Sequence, residues 1–270
     1  LQSLLDVFRK GGGPLAMITT RPADPTGYGR IVRDSARRVQ RVVEHKDATE
    51  DERAIGEVNA GIYVADSKFL WQAIDRLTPQ NAQGELYLTD IVSQAAALGS
   101  IAVVEAPAAE TEGINDRVEL AERCQLMRKR INERHMRLGV TLIDPASTFI
   151  DEGVEIGPDT ILGPQVSIQG DCEIGANATI GQGAILNHST VGDGTEIRAY
   201  SVLEEAVVGP RSIVGPFARL RPGTVLDESV HIGNFVETKK AHLRKGSKAN
   251  HLAYMGDAEI GSNCNIGAGT

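Results

Sequence analysis

An aliphatic residue recurs at nearly every sixth position beyond Ile150, and this beat constrains the fold more than any other feature of the chain. Ile156-Gly157, Leu162-Gly163, Ile174-Gly175 and Ile180-Gly181 step by six, with Ile168 in phase between them. After a five-residue step the beat resumes at Val191-Gly192 and Ile197. After another it runs through Val208-Gly209, Val214-Gly215, Leu220, Leu226 and Ile232-Gly233. Each hexad reads as one short strand and a turn. The aliphatic residue points inward, and Gly, Asn or Asp allows the corner. Such a repeat predicts a parallel β-helix, and three hexads per coil turn about 120 residues into roughly seven stacked coils. The handedness rule for parallel crossovers would make the coil right-handed.

Residues 1–115 follow a different pattern. Leu1 to Lys10 reads as a helix stopped by Gly11-Gly12-Gly13. Leu15 to Thr19, Val39 to Glu44, Gly61 to Ala65 and Ile101 to Glu105 are short runs suited to buried strands. Between them Ser67 to Leu77 and Leu88 to Leu98 have helical spacing. The alternation predicts an α/β layer, incomplete because no Gly-rich phosphate loop opens it. Residues 116–138 predict one long helix, a linker docked by the stripe Leu120, Cys124, Met127, Ile131 and Leu138. The expected organisation is therefore 1–115, a linker helix over 116–140, and a solenoid over 141–270.

Composition narrows the function classes. Aromatic residues make up only 4% of the chain, so its cores are built from Ile, Val, Leu and Ala. A net charge of −8 argues against a general nucleic-acid binder. No segment approaches the apolar length of a membrane span. Cys124, Cys172 and Cys264 are odd in number and show no metal spacing, which fits a reduced, cytoplasmic protein. The chain begins without Met and stops in mid-repeat at Gly269-Thr270, so a piece of something longer is expected.

Polar residues that displace the solenoid's aliphatic and small positions concentrate between Arg219 and Asn265. Lys239, Lys240, Arg244, Lys245 and Lys248 form a basic cluster. Such a cluster is either a solvated face or a site for a phosphate-bearing ligand. His251, beside Tyr254 and between two shortened steps of the repeat, is the candidate base, since imidazole titrates near neutrality. His231, His242 and His251 offer a zinc site as the lesser alternative.

The motifs GPFARLRPG (215–223), VHIGNFVETKKAHLRKGSKANHLAYMGDAEIG (230–261) and NIGAGT (265–270) resemble the acetyltransferase domain of one bacterial family. These are the bifunctional N-acetylglucosamine-1-phosphate uridyltransferase / glucosamine-1-phosphate N-acetyltransferases, the GlmU family. DPTGYGRIVR (24–33), VVEHKDAT (42–49), EVNAGIYV (57–64), NAQGELYLTD (81–90) and EGINDRVEL (112–120) resemble its uridyltransferase domain, in order. The resemblance implies a partial Rossmann-like nucleotidyltransferase domain followed by a left-handed β-helix, and so overrides the handedness rule.

It also implies roles. His251 would deprotonate the glucosamine amine, while Arg221 and Lys239 would hold the sugar phosphate. Tyr254 and Asn265 would contact substrate, with Asn265 also steadying the reacting carbonyl. Ala268 would line the acetyl-CoA groove. Gly29, Glu44 and Asn59 would contact the N-acetylglucosamine end of the nucleotide sugar, and Asn115 would be a Mg²⁺ ligand as well as a substrate contact. The implied partners are glucosamine-1-phosphate, acetyl-CoA, UTP, N-acetylglucosamine-1-phosphate and two further copies of the chain in a homotrimer, with neither nucleic acid nor membrane. The family's nucleotide-binding glycine loop would precede Leu1 and further acetyl-CoA contacts would follow Thr270, so the chain as given is expected not to transfer uridylyl groups. Two rivals stand beside this reading: another sugar-phosphate nucleotidyltransferase with a non-catalytic β-helix, and a trimerisation scaffold alone.

Overall fold

The computed structural model describes residues 1–111, 113–114 and 116–269. The chain divides into two compact units, Leu1–Ile114 and Asn115–Thr270.

The first unit runs α1 (Gln2–Gly11), β1 (Leu15–Thr20), β2 (Arg30–Arg33), β3 (Val39–Val43), α2 (Glu50–Arg53), β4 (Val58–Ala65), α3 (Ser67–Ile74), α4 (Asp90–Leu98), β5 (Ala102–Glu105) and α5 (Ala108–Thr111). Gly12, at φ 66°, closes α1 in the left-handed conformation that glycine adopts at little cost, as the triple glycine predicts. The strands form one sheet in the order β3-β2-β4-β1-β5. Among the described residues of this unit only β1 and β5 pair in parallel; β4 runs antiparallel to β1, and β2 antiparallel to both β3 and β4. The sheet is thus mixed, because β2 and β3 are joined as a hairpin rather than by a crossover helix. Sequence periodicity does not reveal β2, whose two apolar residues are framed by Arg30 and Arg33. Strand β1 is buried along its whole length. Its alternate residues divide between two cores: Leu15 and Met17 pack with Ile31, Phe69 and Ile91, while Ala16 and Ile18 pack with Leu4.

The second unit opens with α6 (Arg117–Arg137), whose first turn is capped by the Asp116 carboxylate accepting from the Val118 and Glu119 N–H groups. The predicted apolar stripe does not dock. Leu120, Cys124, Met127 and Leu138 are exposed, and Ile131 alone among the five is buried. The helix is fastened through its last turns instead, where Asn132 and His135 are buried beside Ile131. The Asn132 amide donates to the carbonyls of Pro145 and Thr148 at 2.8 and 3.0 Å. Arg134 pairs with Glu152 at 2.6 Å, and the Arg128 guanidinium lies 4.6 Å above the Phe149 ring.

The hexads then wind a parallel β-solenoid with three flat faces. Among the described residues, face I stacks eight strands from Thr141–Leu142 to Asn265–Ile266. Face II stacks seven from Phe149–Ile150 to Tyr254–Gly256, and face III seven from Glu155–Ile156 to Glu259–Ile260. Each inward aliphatic residue lies over its equivalent one coil below: Leu162, Ile180, Ile197, Val214 and Ile232 on face I are all fully buried. Full burial of one such side chain contributes roughly 1.5–3 kcal/mol. The glycine after an aliphatic residue is steric: a Cβ at Gly157 would meet the Ala176 nitrogen of the next coil at 2.5 Å. Hydroxyls at inward corners are satisfied by that next coil. Thr160, Thr195 and Ser212 donate to the carbonyls of Gly175, Gly209 and Asp227 at 2.8, 2.9 and 3.1 Å. The shortened steps also have a location. Leu186 to Val191, Leu203 to Val208, Thr238 to Leu243 and Met255 to Ile260 all turn from face II to face III.

Candidate functional site

Face II carries the outward polar residues of the upper coils. Arg219, Glu237 and Tyr254 lie in register on successive strands, and Lys239 pairs with Gly256. The Arg221 guanidinium donates from Nη1 to Glu237 Oε1 at 2.9 Å, which aims it along this face. Tyr254 is 53% exposed, and its ring crosses the backbone of Gly256. A Cβ at Gly256 would stand only 2.6 Å from Tyr254 Oη, so the absence of a side chain there makes room for the ring.

His251 is the last residue of the face I strand Lys248–His251, at the corner that leads to face II, and its imidazole is exposed. Its Nδ1 lies 2.9 Å from Asn234 Oδ1 on the coil below. The ring borders a groove of about 390 Å³ whose lining includes Arg198, Phe217, His231, Asn234 and Phe235. Burial, and next the charges of Arg198 and Lys248, hold His231 below the usual imidazole range. Asn265 lies directly above Lys248 on face I. Ala268 precedes Gly269, whose N–H donates to the Leu252 carbonyl at 2.9 Å, so both Asn265 and Ala268 sit one coil above His251. The structure therefore gathers Arg221, Lys239, His251, Tyr254, Asn265 and Ala268 onto face II, its corner with face I, and the coil above.

The basic cluster does not survive as a patch. One coil takes 17 or 18 residues, so its members are wrapped around the solenoid. Arg244 pairs with Glu259 at 3.3 Å, Lys245 with Glu228 at 3.0 Å, and Lys248 belongs to face I. Lys239 shares a face with Arg221. The zinc alternative also falls. His242 lies on face III with Nε2 2.8 Å from Asp227 Oδ1, away from the strands of His231 and His251. Among the described residues no group of three His, Cys, Asp or Glu side chains is placed to hold a metal ion. Cys124, Cys172 and Cys264 are free thiols.

In the first unit Gly29, Glu44 and Asn59 converge. The Asn59 N–H donates to the Gly29 carbonyl at 2.8 Å. A Cβ on Gly29 would meet Val42 Cγ1 at 2.7 Å and Glu44 Oε1 at 3.3 Å, so the Glu44 carboxylate lies close over the glycine. Thr89 donates its hydroxyl to Glu44 Oε1 at 2.8 Å. Tyr63 stands nearby, with burial foremost and the Glu44 charge raising its phenol to about 12. Asn115 lies outside the described residues.

Sequence reasoning did not reach Gly233, Asn234 or Glu237. The signal that finds them is the stride of the solenoid: Asn234 and Glu237 lie one coil, 17 residues, below His251 and Tyr254.

Residues 138–244 match the GMPPB C-terminal domain family, a match that ends before His251. Three curated relatives, each named bifunctional protein GlmU, align along nearly the whole chain. The one from Anaeromyxobacter sp. (strain Fw109-5) is 52% identical over 98% of this chain and 54% of its own length. That from Geotalea uraniireducens (strain Rf4) is 50% identical over 100% of this chain and 60% of its own. That from Anaeromyxobacter dehalogenans (strain 2CP-1 / ATCC BAA-258) is 48% identical over 100% of this chain and 55% of its own. The chain thus spans little more than half the length of these relatives. A solved hexapeptide transferase family protein from Anaplasma phagocytophilum aligns over 50% of this chain and 78% of its own at 19% identity, with a TM-score of 0.27, too remote to carry a conclusion. Identity near one half along all of this chain places it in the GlmU family.

Proposed function

We propose that the solenoid carries an acetyl-CoA-dependent N-acetyltransferase acting on glucosamine-1-phosphate, and that the first unit belongs to the uridyltransferase that converts N-acetylglucosamine-1-phosphate and UTP into UDP-N-acetylglucosamine. The observation that carries the first activity is the gathering of cations, a base and a phenol on one face and corner of an otherwise aliphatic solenoid. Arg221 and Lys239 supply two cations for a phosphate, the guanidinium offering a planar donor fork and the ammonium a point charge. His251 takes a proton from the amine as its nitrogen attacks the thioester carbonyl carbon. The carbonyl π electrons move onto oxygen, giving a tetrahedral oxyanion beside which Asn265 offers an amide donor. Collapse breaks the C–S bond, and the thiolate of coenzyme A leaves with the proton returned by His251.

The second activity is supported by the convergence of Gly29, Glu44 and Asn59 around one backbone approach. Glu44 offers carboxylate oxygens to sugar hydroxyls, and Gly29 leaves room for them. Mg²⁺, with Asn115 as ligand, would neutralise phosphate oxygens in this reaction. A homotrimer in the cytoplasm is part of the same reading; among the described residues no helix is long and apolar enough to cross a membrane.

The test is acetyl-CoA turnover by the full-length protein with glucosamine-1-phosphate. His251→Ala is expected to lower kcat by about 100-fold or more, the usual contribution of a positioned general base. Wild-type turnover in that variant refutes the assignment, and no turnover in the unsubstituted protein favours the scaffold or the simpler nucleotidyltransferase.

A further inference from the structure

We propose that Asn234 is a positioning residue for His251, accepting the Nδ1 proton and thereby leaving Nε2 as the unprotonated base; this rests on the acetyl-transfer reading above. Three features converge on the pair. First, Asn234 and His251 are directly in register on neighbouring parallel strands, 17 residues apart, with Oδ1 and Nδ1 at 2.9 Å. Second, pairing on face I is extended only here. His231–Asn234 and Lys248–His251 are four residues long, whereas the other described strands of that face have two. Asn234 and His251 are the final residues of the two extended strands.

Third, the two backbones approach closely within the extension. A Cβ on Gly233 would lie 1.9 Å from the Asn250 carbonyl oxygen, well inside van der Waals contact, so a glycine is required immediately before Asn234. The two backbones thus lie close together immediately before the residues whose amide oxygen and imidazole nitrogen meet. A carboxamide oxygen only accepts, so the nitrogen facing it carries the proton and the other ring nitrogen keeps its lone pair. A neutral acceptor fixes the tautomer without adding a negative charge that would hold the imidazole protonated. The charged and titratable groups around the ring are His231 and Arg198 across the groove, Glu196 bonded to Arg198 at 3.0 Å, Lys248 on its own strand, and Tyr254 past the corner. None of these is a carboxylate bonded to His251.

Two measurements test the proposal. In the ¹⁵N-histidine spectrum of the protein, His251 is expected to show the Nδ1–H tautomer at pH values where it is neutral, and to lose that preference in Asn234→Ala. In acetyl transfer, Asn234→Ala should lower kcat about tenfold or more while KM for glucosamine-1-phosphate stays within about twofold, since the phosphate contacts are untouched. Asn234→Asp should restore most of the activity at high pH but raise the acid limb of kcat/KM by about one pH unit, because a carboxylate favours the imidazolium. The Nε2–H tautomer in the unsubstituted protein overturns the proposal. So does wild-type kcat in Asn234→Ala when His251→Ala is inactive. If His251→Ala remains active, the assignment of His251 as the base fails, and the spectrum still decides whether Asn234 sets the tautomer.

Discussion

Thr238 occupies a position that the repeat reserves for an aliphatic residue, and its replacement tests how the solenoid tolerates a polar core. It stands on the face II ladder of Ile168, Leu186, Leu203, Leu220 and Met255, all buried. Its hydroxyl lies 2.9 Å from that of Thr224, and both residues are 0% exposed. Thr238→Val keeps the shape and replaces the hydroxyl by a methyl, stranding the Thr224 hydroxyl in a dry interior. An unsatisfied buried hydroxyl costs about 1–3 kcal/mol, and the added apolar group returns up to about 0.8 kcal/mol. The expected net loss is therefore about 1–2 kcal/mol, a fall in Tm of about 3–6 °C for a unit of this size. Thr224→Val should behave alike. The double variant, with both hydroxyls removed, should return to within about 1 kcal/mol of the original, giving a coupling energy of about 1–4 kcal/mol. Thermal and urea unfolding of the four proteins measure it. Simple additivity of the two losses, or a Thr238→Val protein as stable as its parent, would refute the claim that the pair is held by its shared hydrogen bond.

Two further perturbations follow from the same geometry. His135 is buried, neither ring nitrogen has a described hydrogen-bond partner, and burial foremost, with the Arg134 charge second, holds it below the usual imidazole range. The unfolded chain then binds the proton first, below about pH 6.5, so His135's contribution to stability is complete at neutral pH and is lost as pH falls through 6.5 toward the folded value, at a limiting slope of about 1.4 kcal/mol per pH unit. His135→Leu should flatten the Tm profile between pH 7 and 5.5, and an unchanged profile rejects the assignment. Gly256→Ala places a Cβ where the Tyr254 ring now lies but requires no left-handed backbone, so Tm should move by little while the displaced phenol raises KM for the sugar phosphate several-fold. An unaltered KM would remove Tyr254 from the substrate contacts.

The repeat was legible because each hexad is locally complete: Ile174, Ile180 and Ile197 announce their burial by spacing alone, and the structure buries all three. The first unit was legible only in part. Leu15 to Thr19 is wholly buried and reads as a strand. Arg30 to Arg33 does not, because the fold buries Arg30 itself to 1% exposure, with hydrogen bonds to the Tyr28 and Arg53 carbonyls and to His45. No hydrophobic period encodes a buried guanidinium. The stripe on α6 failed for the converse reason. Helical spacing shows which residues share a face, but what covers that face is decided by residues distant in sequence, and here the covered turn is fixed by Asn132 reaching Pro145 and Thr148.

The candidate site separates the two kinds of information more sharply. In a solenoid, spatial neighbours are residues one stride apart, so proximity along the chain misleads whenever it spans less than a coil. Lys239, Arg244 and Lys248 are close in sequence and end on three different faces. Asn234 and His251 are 17 residues apart and touch. The same geometry explains why a shortened step is no mark of function by itself. All four described five-residue steps turn the same corner, and His251 lies at a different one, where the step from Ala249 to Met255 keeps its full six residues. What singles out that corner among the described residues of face I is the pair of four-residue strands, His231–Asn234 and Lys248–His251, whose last residues form a polar pair. A functional residue on such a scaffold is best sought by asking where the strands depart from the length that the repeat sets.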